Sequence, residues 1–406
     1  MKRLLTTGMI RAARAAGSVL ISSALVLASI AGPAQASTAD FVSGLWPEAQ
    51  AAGVSRQAFE ASFANYSPIP QVMELTRSQP EFSQTVADYI NKRVSGSQVS
   101  KGQEMAARWS DTLADVSARY GVQSEVVLAI WGMETNFGGY MGSNNTIHAL
   151  ATLAQNGYRA EFFRGELVTA LRIVSDGHIR PNQMVGSWAG AMGHTQFMPS
   201  SFMRYAVDYT GDGTKDIWNA VGDALASTAN YLKAHGWRPG ETWGYEVRLP
   251  RGFDYARAES MGTVPVSQWQ QMGVTRTNDR AFPRPSDRAR LYMPAGGDGP
   301  AFLALPNFDV IKRYNNSNSY ALAVGHLADR ILGTGGFATP WPANDYALNR
   351  SQRVELQTLL ARAGYDLGTP DGVIGPKSRA AIMAFQRQRG LTADGFASGR
   401  LLEALR

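Results

Sequence analysis

One carboxylate stands out for its surroundings. Glu134 falls in Ile130-Trp-Gly-Met-Glu-Thr-Asn-Phe-Gly-Gly139, at the end of an apolar run that reads as a helix. Burial should raise its pKa by disfavouring the charged form, and the negative end of the helix dipole should act the same way. A carboxylic acid that keeps its proton near neutrality is what a glycosidic oxygen needs as a proton donor. Hydrolytic glycosidases usually pair two carboxylates, an acid with a base or nucleophile. No second acidic residue has comparable surroundings: Glu161 and Glu166 fall on an amphipathic stretch beside Arg164 and read as surface residues. One carboxylate suffices if the substrate supplies the second group. The same pattern also suits a solvated residue that merely ends a helix.

A second block runs Gly186-Ser-Trp-Ala-Gly-Ala-Met-Gly-His-Thr-Gln-Phe-Met-Pro-Ser-Ser-Phe202. Gly190, Ala191 and Gly193 leave room for a close approach to the backbone. Ser187 and Gln196 offer hydrogen bonds, while Trp188, Phe197 and Met198 offer apolar surface. A tight contact between helices would use the same small residues. A third block, Asp208-Tyr-Thr210-Gly-Asp212-Gly213-Thr214-Lys-Asp216, follows the first half of an EF-hand loop. Side-chain oxygens recur at the ligand positions, a glycine stands at the sharp turn, and Thr214 can offer its carbonyl. Asn219 stands where a bidentate Glu would close the shell, and Asp223 is the substitute further on. The expectation is a weak structural calcium site with no cofactor needed for the chemistry. A loop whose Asx turns hold its own backbone is the alternative.

Mostly helices must position these groups. Ser124 is the expected N-cap of a helix carrying Val126, Val127, Ile130, Trp131 and Met133 up to Glu134, with Gly138-Gly139 ending it. Helices are predicted over 160–174 and 220–235, with another starting at Pro199. The stretch 37–110 is polar and helix-compatible, broken at Gly53 and at Ser67-Pro68-Ile69-Pro70. Between about 236 and 305 the texture changes to strands at 243–249, 289–293 and 302–305. Helix returns at 310–314 and 320–332. Gly335-Gly336, Pro340 and Pro342 mark a linker, followed by a small tail module.

The 406 residues allow two or three domains. The N-terminus reads as a secretory signal over 1–36: Lys2, Arg3, Arg11 and Arg14, then a short apolar run, then Ala34-Gln35-Ala36 as a cleavage site. With no cysteine, the chain has neither disulfides nor a lipid-attachment residue. An exported, soluble, periplasmic protein without a stable membrane anchor is expected. The net charge of +6 suits an acidic partner. Export and the even spread of charge argue for an anionic wall polymer and against nucleic acid.

Met133-Glu134-Thr-Asn-Phe-Gly138 and Gly190-Ala-Met-Gly-His-Thr-Gln-Phe-Met-Pro-Ser-Ser201 together resemble the lytic murein transglycosylase B family. So do Asn230-Tyr231-Leu-Lys-Ala-His-Gly-Trp237 and Tyr314-Asn-Asn-Ser-Asn-Ser-Tyr320. The resemblance implies a mainly α fold, with a lysozyme-like helical catalytic core over 37–335 and a β-containing insertion at about 236–305. It implies Glu134 as acid and then base, and Ser187, Gln196, Arg159, Tyr231, Tyr314, Tyr320, Phe197 and Met198 around the saccharide. The calcium ligands would be Asp208, Thr210, Asp212, Thr214, Asp216 and Asp223. Tyr158 departs from the family pattern, which has a second Arg there. After a linker at 336–348, residues 349–406 resemble the three-helix peptidoglycan-binding domain, through Asp371-Gly-Val-Ile-Gly375, Ala381-Ile382, Phe385-Gln386 and Asp394-Gly395. This module has nine Lys/Arg against five Asp/Glu. The implied partners are glycan strands and other cell-wall enzymes. The implied reaction is non-hydrolytic cleavage of peptidoglycan, with hydrolytic muramidase or an inactive wall-binding scaffold as alternatives.

Overall fold

The apolar segment before Glu134 forms the helix Ser124–Thr135, buried continuously from Val126 to Met133. A helix that is apolar all round belongs inside a helical layer. Gly96–Arg108, Ser110–Tyr120, Val221–Ala234 and Asn318–Ile331 pack around it. The computed structural model describes residues 37–77, 84–343 and 345–406. The signal sequence and cleavage site expected over 1–36 lie outside the described residues.

The ends of this helix differ from expectation. Gln123, not Ser124, is the N-cap, and Ser124 is the first helical residue. Its hydroxyl instead donates to the Leu113 carbonyl at 3.2 Å, tying the helix to its predecessor. At the far end Asn136 and Phe137 already take left-handed φ of 53° and 55°, so the helix stops before Gly138-Gly139. Gln98 donates to the Gly132 carbonyl and Lys101 Nζ to that of Asn136, at 2.8 and 2.7 Å. These donors satisfy open carbonyls of the last turn and compensate its negative end.

The antiparallel pair Thr146–Gln155 and Ala160–Ser175 flanks the core, and the N-terminal helices Thr38–Ala51 and Arg56–Phe63 pack on its outer side. Ser37, Ser55, Thr85 and Ser95 each cap a helix in this N-terminal region, Thr85 with a reciprocal bond from Asp88.

A five-stranded antiparallel sheet forms the β-containing part. Its order is Val264–Pro265, Arg288–Tyr292, Ala301–Ala304, Gly244–Arg248, Thr275–Arg276. The central strand Ala301–Ala304 is buried on both faces. Phe302 and Ala304 join the helical core, while Ala301 and Leu303 join the sheet's own core with Val247 and Trp269. The two-residue period of a strand thus serves two cores at once. This explains why the sequence there reads as a continuous apolar run rather than an alternation.

The expected linker is fastened to the helical core and the sheet. Phe337 stacks on His326 with ring centroids 3.8 Å apart. The Glu246 carboxylate accepts the N–H groups of Ala338 and Thr339, both at 2.8 Å.

The tail has helices Arg350–Arg362, Pro376–Gln388 and Gly399–Leu405 around Leu356, Leu360, Ile382, Phe385 and Leu402. Its Asp-Gly motifs are clasped by glutamines. Gln357 Oε1 accepts from the N–H groups of Asp371 and Gly372, and Gln386 Oε1 accepts from that of Gly395. The Gln386 amide donates to Asp394 at 2.7 Å. The tail meets the β-containing part through Gly297 N–H to Asp394 at 2.6 Å, the Arg400–Asp298 pair at 3.0 Å and an Arg379–Glu259 pair. Among the described residues no helix is long and apolar enough to cross a membrane.

Candidate active site

Glu134 sits one residue inside the C-terminus of its helix and opens into a cleft of about 470 Å³. Gln71, Leu75, Asn144, Ser187, Trp188 and Gln196 line it, together with the exposed Tyr140. Burial raises the Glu134 carboxyl to about 7, against a hydrogen bond from Tyr320 and the positive field of Arg93, which both pull it down. The Tyr320 hydroxyl donates to Glu134 Oε1 at 2.6 Å. Desolvation is therefore the cause of the shift, and the dipole argument falls away because Gln98 and Lys101 cover the helix end. Among the described residues lining this cleft, Glu134 is the sole carboxylate.

The two blocks that bracket the site interlock. The indole N–H of Trp131 donates to His194 Nδ1 at 3.0 Å, and burial holds that imidazole below its ordinary pKa, in the neutral state. Gly138 lies against the same imidazole with φ +75°, where any Cβ would collide with the ring. Gly193, with φ +60°, likewise leaves no room before the Ile217 carbonyl. The small residues thus serve packing of protein on protein.

Ser187 and Gln196 are aimed by a short β-like turn. Gly186 pairs with Asn144, and Met192 bridges both Gly186 and Phe197. Ser187 Oγ accepts from the Ala191 N–H at 3.0 Å. Gln196 has φ 51° and donates Nε2 to the carbonyls of Gly193 and Met141 at 2.9 and 3.2 Å. A non-glycine residue held in the left-handed region is a strain that the surroundings must enforce.

The sequence profile of the transglycosylase SLT domain matches residues 37–329. The chain belongs to the transglycosylase SLT family. Residues 349–405 match the peptidoglycan-binding domain profile. The membrane-bound lytic murein transglycosylase B of Escherichia coli (strain K12) is 38% identical over 249 residues, which cover 60% of this chain and 66% of that protein. The chain thus aligns with about two thirds of that curated relative's length. SltB3 of Pseudomonas aeruginosa, solved in complex with NAG-anhNAM-pentapeptide, is 48% identical and has a TM-score of 0.84. That match covers 91% of this chain and 99% of SltB3. Escherichia coli Slt35, solved in complex with calcium, is 33% identical with a TM-score of 0.59, covering 73% of this chain and 92% of that one.

Not every residue that the family resemblance nominates reaches the cleft. Ser187 and Gln196 do, while Tyr320, 3% exposed, reaches only Glu134 through its hydroxyl. Phe197 and Tyr231 are buried behind the cleft, only 3% and 9% exposed. The Tyr231 hydroxyl donates to the Arg313 carbonyl at 2.5 Å, and that of Tyr314 to the Thr195 carbonyl at 2.7 Å. These aromatic groups back the wall that carries Gln196, and Met198, half-buried, packs against the same core. Arg159 is the N-cap of Ala160–Ser175 in a left-handed conformation, its guanidinium 4.4 Å from the Phe162 ring centre, and it is not among the residues that line the cleft. Sequence reasoning missed Gln71, Leu75, Asn144 and Arg93, which carry no motif. Tyr140, 69% exposed, had one signal in the sequence, its place directly after Gly138-Gly139.

Glu166 corrects a sequence expectation. It is buried, and its two oxygens accept from the Ser200 N–H at 2.9 Å and the Ser200 hydroxyl at 2.6 Å. It caps the helix Pro199–Tyr205, a helix start without a cap of its own. Its neighbour Glu161 is exposed as expected.

In the 208–216 loop every carboxylate is engaged by the loop or by the residues just after it. Asp208 accepts from the N–H groups of Gly211, Asp212 and Gly213. Asp212 accepts from Thr214 N–H and Oγ1 at 2.8 and 2.6 Å, and Thr210 Oγ1 reaches Asp208 at 3.4 Å. Asp216 accepts from Trp218 and Asn219. Asp223 is fully buried; its oxygens take the N–H groups of Tyr209, Thr210 and Asp216. It is a clasp closing the two ends of the loop, not the substitute ligand expected. Among the described residues no group of three or more acidic or imidazole side chains is drawn together to hold a metal. The remaining oxygens are hard donors of the type calcium takes, without the bidentate carboxylate that tight sites use.

Proposed function

We propose that this chain is a peptidoglycan lytic transglycosylase in which Glu134 is the acid and then the base. The observation that carries this is the lone cleft carboxylate, lifted to about 7 by burial and oriented by Tyr320. Protonated, Glu134 gives its proton to the oxygen of the β-1,4 bond between N-acetylmuramic acid and N-acetylglucosamine. The N-acetyl group of the muramic acid stabilises the developing charge at C1. Ionised Glu134 then takes the proton of the C6 hydroxyl as that oxygen bonds to C1. One C–O bond breaks, one forms, the proton returns to Glu134, and no water is consumed. The anhydro-muramyl ligand in the SltB3 complex supports this product.

Ser187, Gln196 and Asn144 hold the acetamido and hydroxyl groups, and Tyr140 with Leu75 flanks the sugar. The tail anchors the enzyme on the sacculus. After cleavage of 1–36 the enzyme works in the periplasm in soluble form. Calcium, where bound, is held by Asp208, Asp212, Asp216 and the Thr214 carbonyl and stabilises the loop, which does not contain Glu134. Glu134→Gln tests the assignment: it should fold normally and release no muropeptides from sacculi. Turnover like that of the wild type would remove Glu134 from this role.

A further inference from the structure

A second cavity, of about 430 Å³, shares no residue with the Glu134 cleft. It lies where the last helix of the catalytic part, the sheet and the fastened segment 334–337 meet. Its walls include Trp243, Arg276, Arg280, His326, Asp329 and Phe337. The volume is within the range of small-ligand sites and fits the end of a short peptide.

Three guanidinium and two carboxyl groups line the cavity. Arg276 lies 4.9 Å from the Tyr245 ring centre and donates NH1 to the Ala281 carbonyl at 3.2 Å. Among the described residues it forms no ion pair, although its charge acts on Asp329. Arg280 also makes no ion pair among the described residues. Burial raises the Asp329 carboxyl to about 7, and its one hydrogen bond comes from the Trp243 indole N–H at 3.1 Å. His326, pushed down to about 4 by burial and by Arg330, is uncharged. Glu246, the other acid lining the cavity, has its oxygens on the Ala338 and Thr339 N–H groups. Arg284, the third guanidinium in the lining, is taken up by Asp287 and Glu241. Arg276 and Arg280 therefore face the cavity without an ion pair, and Asp329 is the one carboxyl there that feels their positive field. Between them Asn278 and Asp279 are successive non-glycine residues with left-handed φ of 58° and 52°. Strain of this kind persists where the fold enforces a particular side-chain direction.

We propose that this cavity is a binding site for the free carboxylate end of a peptidoglycan stem peptide, gripped by Arg276 and Arg280 against the Trp243 and Phe337 rings. A guanidinium fork matches a carboxylate with two parallel hydrogen bonds, and a protonated Asp329 can donate a third. The inference rests on the peptidoglycan reading for its choice of ligand. The site would let the enzyme engage a stem peptide while Glu134 works on a glycan, so that uncrosslinked strands are held preferentially.

The test uses the full chain and two probes, an acetylated stem pentapeptide with a free C-terminal carboxylate and the same peptide as its C-terminal amide, titrated by calorimetry. The wild type should bind the acid at least tenfold more tightly than the amide. Arg276→Gln with Arg280→Gln should lose that preference, while cleaving glycan strands stripped of peptide at the wild-type rate. Arg276→Lys, which keeps the charge and loses the fork, should bind at an intermediate affinity. Equal affinity for acid and amide, no binding of the acid, or a preference that survives the double substitution would each overturn the site. Failure of the Glu134 reading would show separately, as stripped glycan cleaved normally by Glu134→Gln.

Discussion

Replacing Glu134 by Gln should make the protein more stable, by an amount that depends on pH. The substitution keeps the shape and leaves an oxygen to accept from Tyr320. The folded-state carboxyl titrates at about 7 against an ordinary 4.5. A raised pKa means that the folded protein disfavours the ionised form. The penalty is therefore absent below the unfolded value, grows between the two, and is complete once pH exceeds the folded value. Each pH unit between the two values is worth about 1.4 kcal/mol, so the penalty approaches about 3 kcal/mol as an upper value for a residue with a window to the cleft. Glu134→Gln should match the wild type near about pH 4 and exceed it by up to about 3 kcal/mol near about pH 8. Urea unfolding of both proteins across that range measures the difference, and titrations elsewhere cancel in it. A difference that stays flat with pH would refute the claim that burial sets the Glu134 pKa.

Tyr320→Phe removes the hydrogen bond that favours ionised Glu134. Turnover should fall about tenfold, and the group governing the pH–rate profile should move to higher pH, since the bond lowers its pKa; an unmoved profile would deny the contact its role. Glu166→Ala should cost about 1–3 kcal/mol of stability by orphaning the Ser200 N–H and hydroxyl, leaving turnover within a few fold; unchanged thermal unfolding would contradict the cap. Calcium at about a hundred times its dissociation constant should add about 2.7 kcal/mol to the wild type and nothing to Asp212→Ala. A melting curve blind to calcium would reject the site.

Much of the fold was legible because its signals are local. The apolar run before Glu134, the helix at 160–174 and the three main strands announce themselves by period and composition, with boundaries shifting by a residue or two. Ser124 shows why boundaries shift: its hydroxyl found the Leu113 carbonyl, a partner eleven positions earlier, which no pattern along the helix reveals. Glu134 was legible for the same local reason. The remainder of the site was not, because the cleft is made by distant segments. Leu75, Asn144 and Arg93 meet Glu134 only through tertiary packing. Conversely, Tyr231, Phe197 and Asp223 sit in conspicuous motifs yet are buried, holding the wall and the loop from behind. Glu166 misled for a simple reason. One acidic residue on an amphipathic helix reads as surface unless the backbone N–H it caps, 34 residues later, is known to lie beside it.

The central claim is that one carboxylate cleaves the glycan without water. Mass spectrometry of the fragments released from purified sacculi tests it most directly. The account predicts muramic acid ends that are lighter by one water than reducing ends and resistant to borohydride reduction, made by the wild type and absent with Glu134→Gln. Fragments carrying the mass of an added water, with reducible ends, would contradict it and identify the enzyme as a hydrolase.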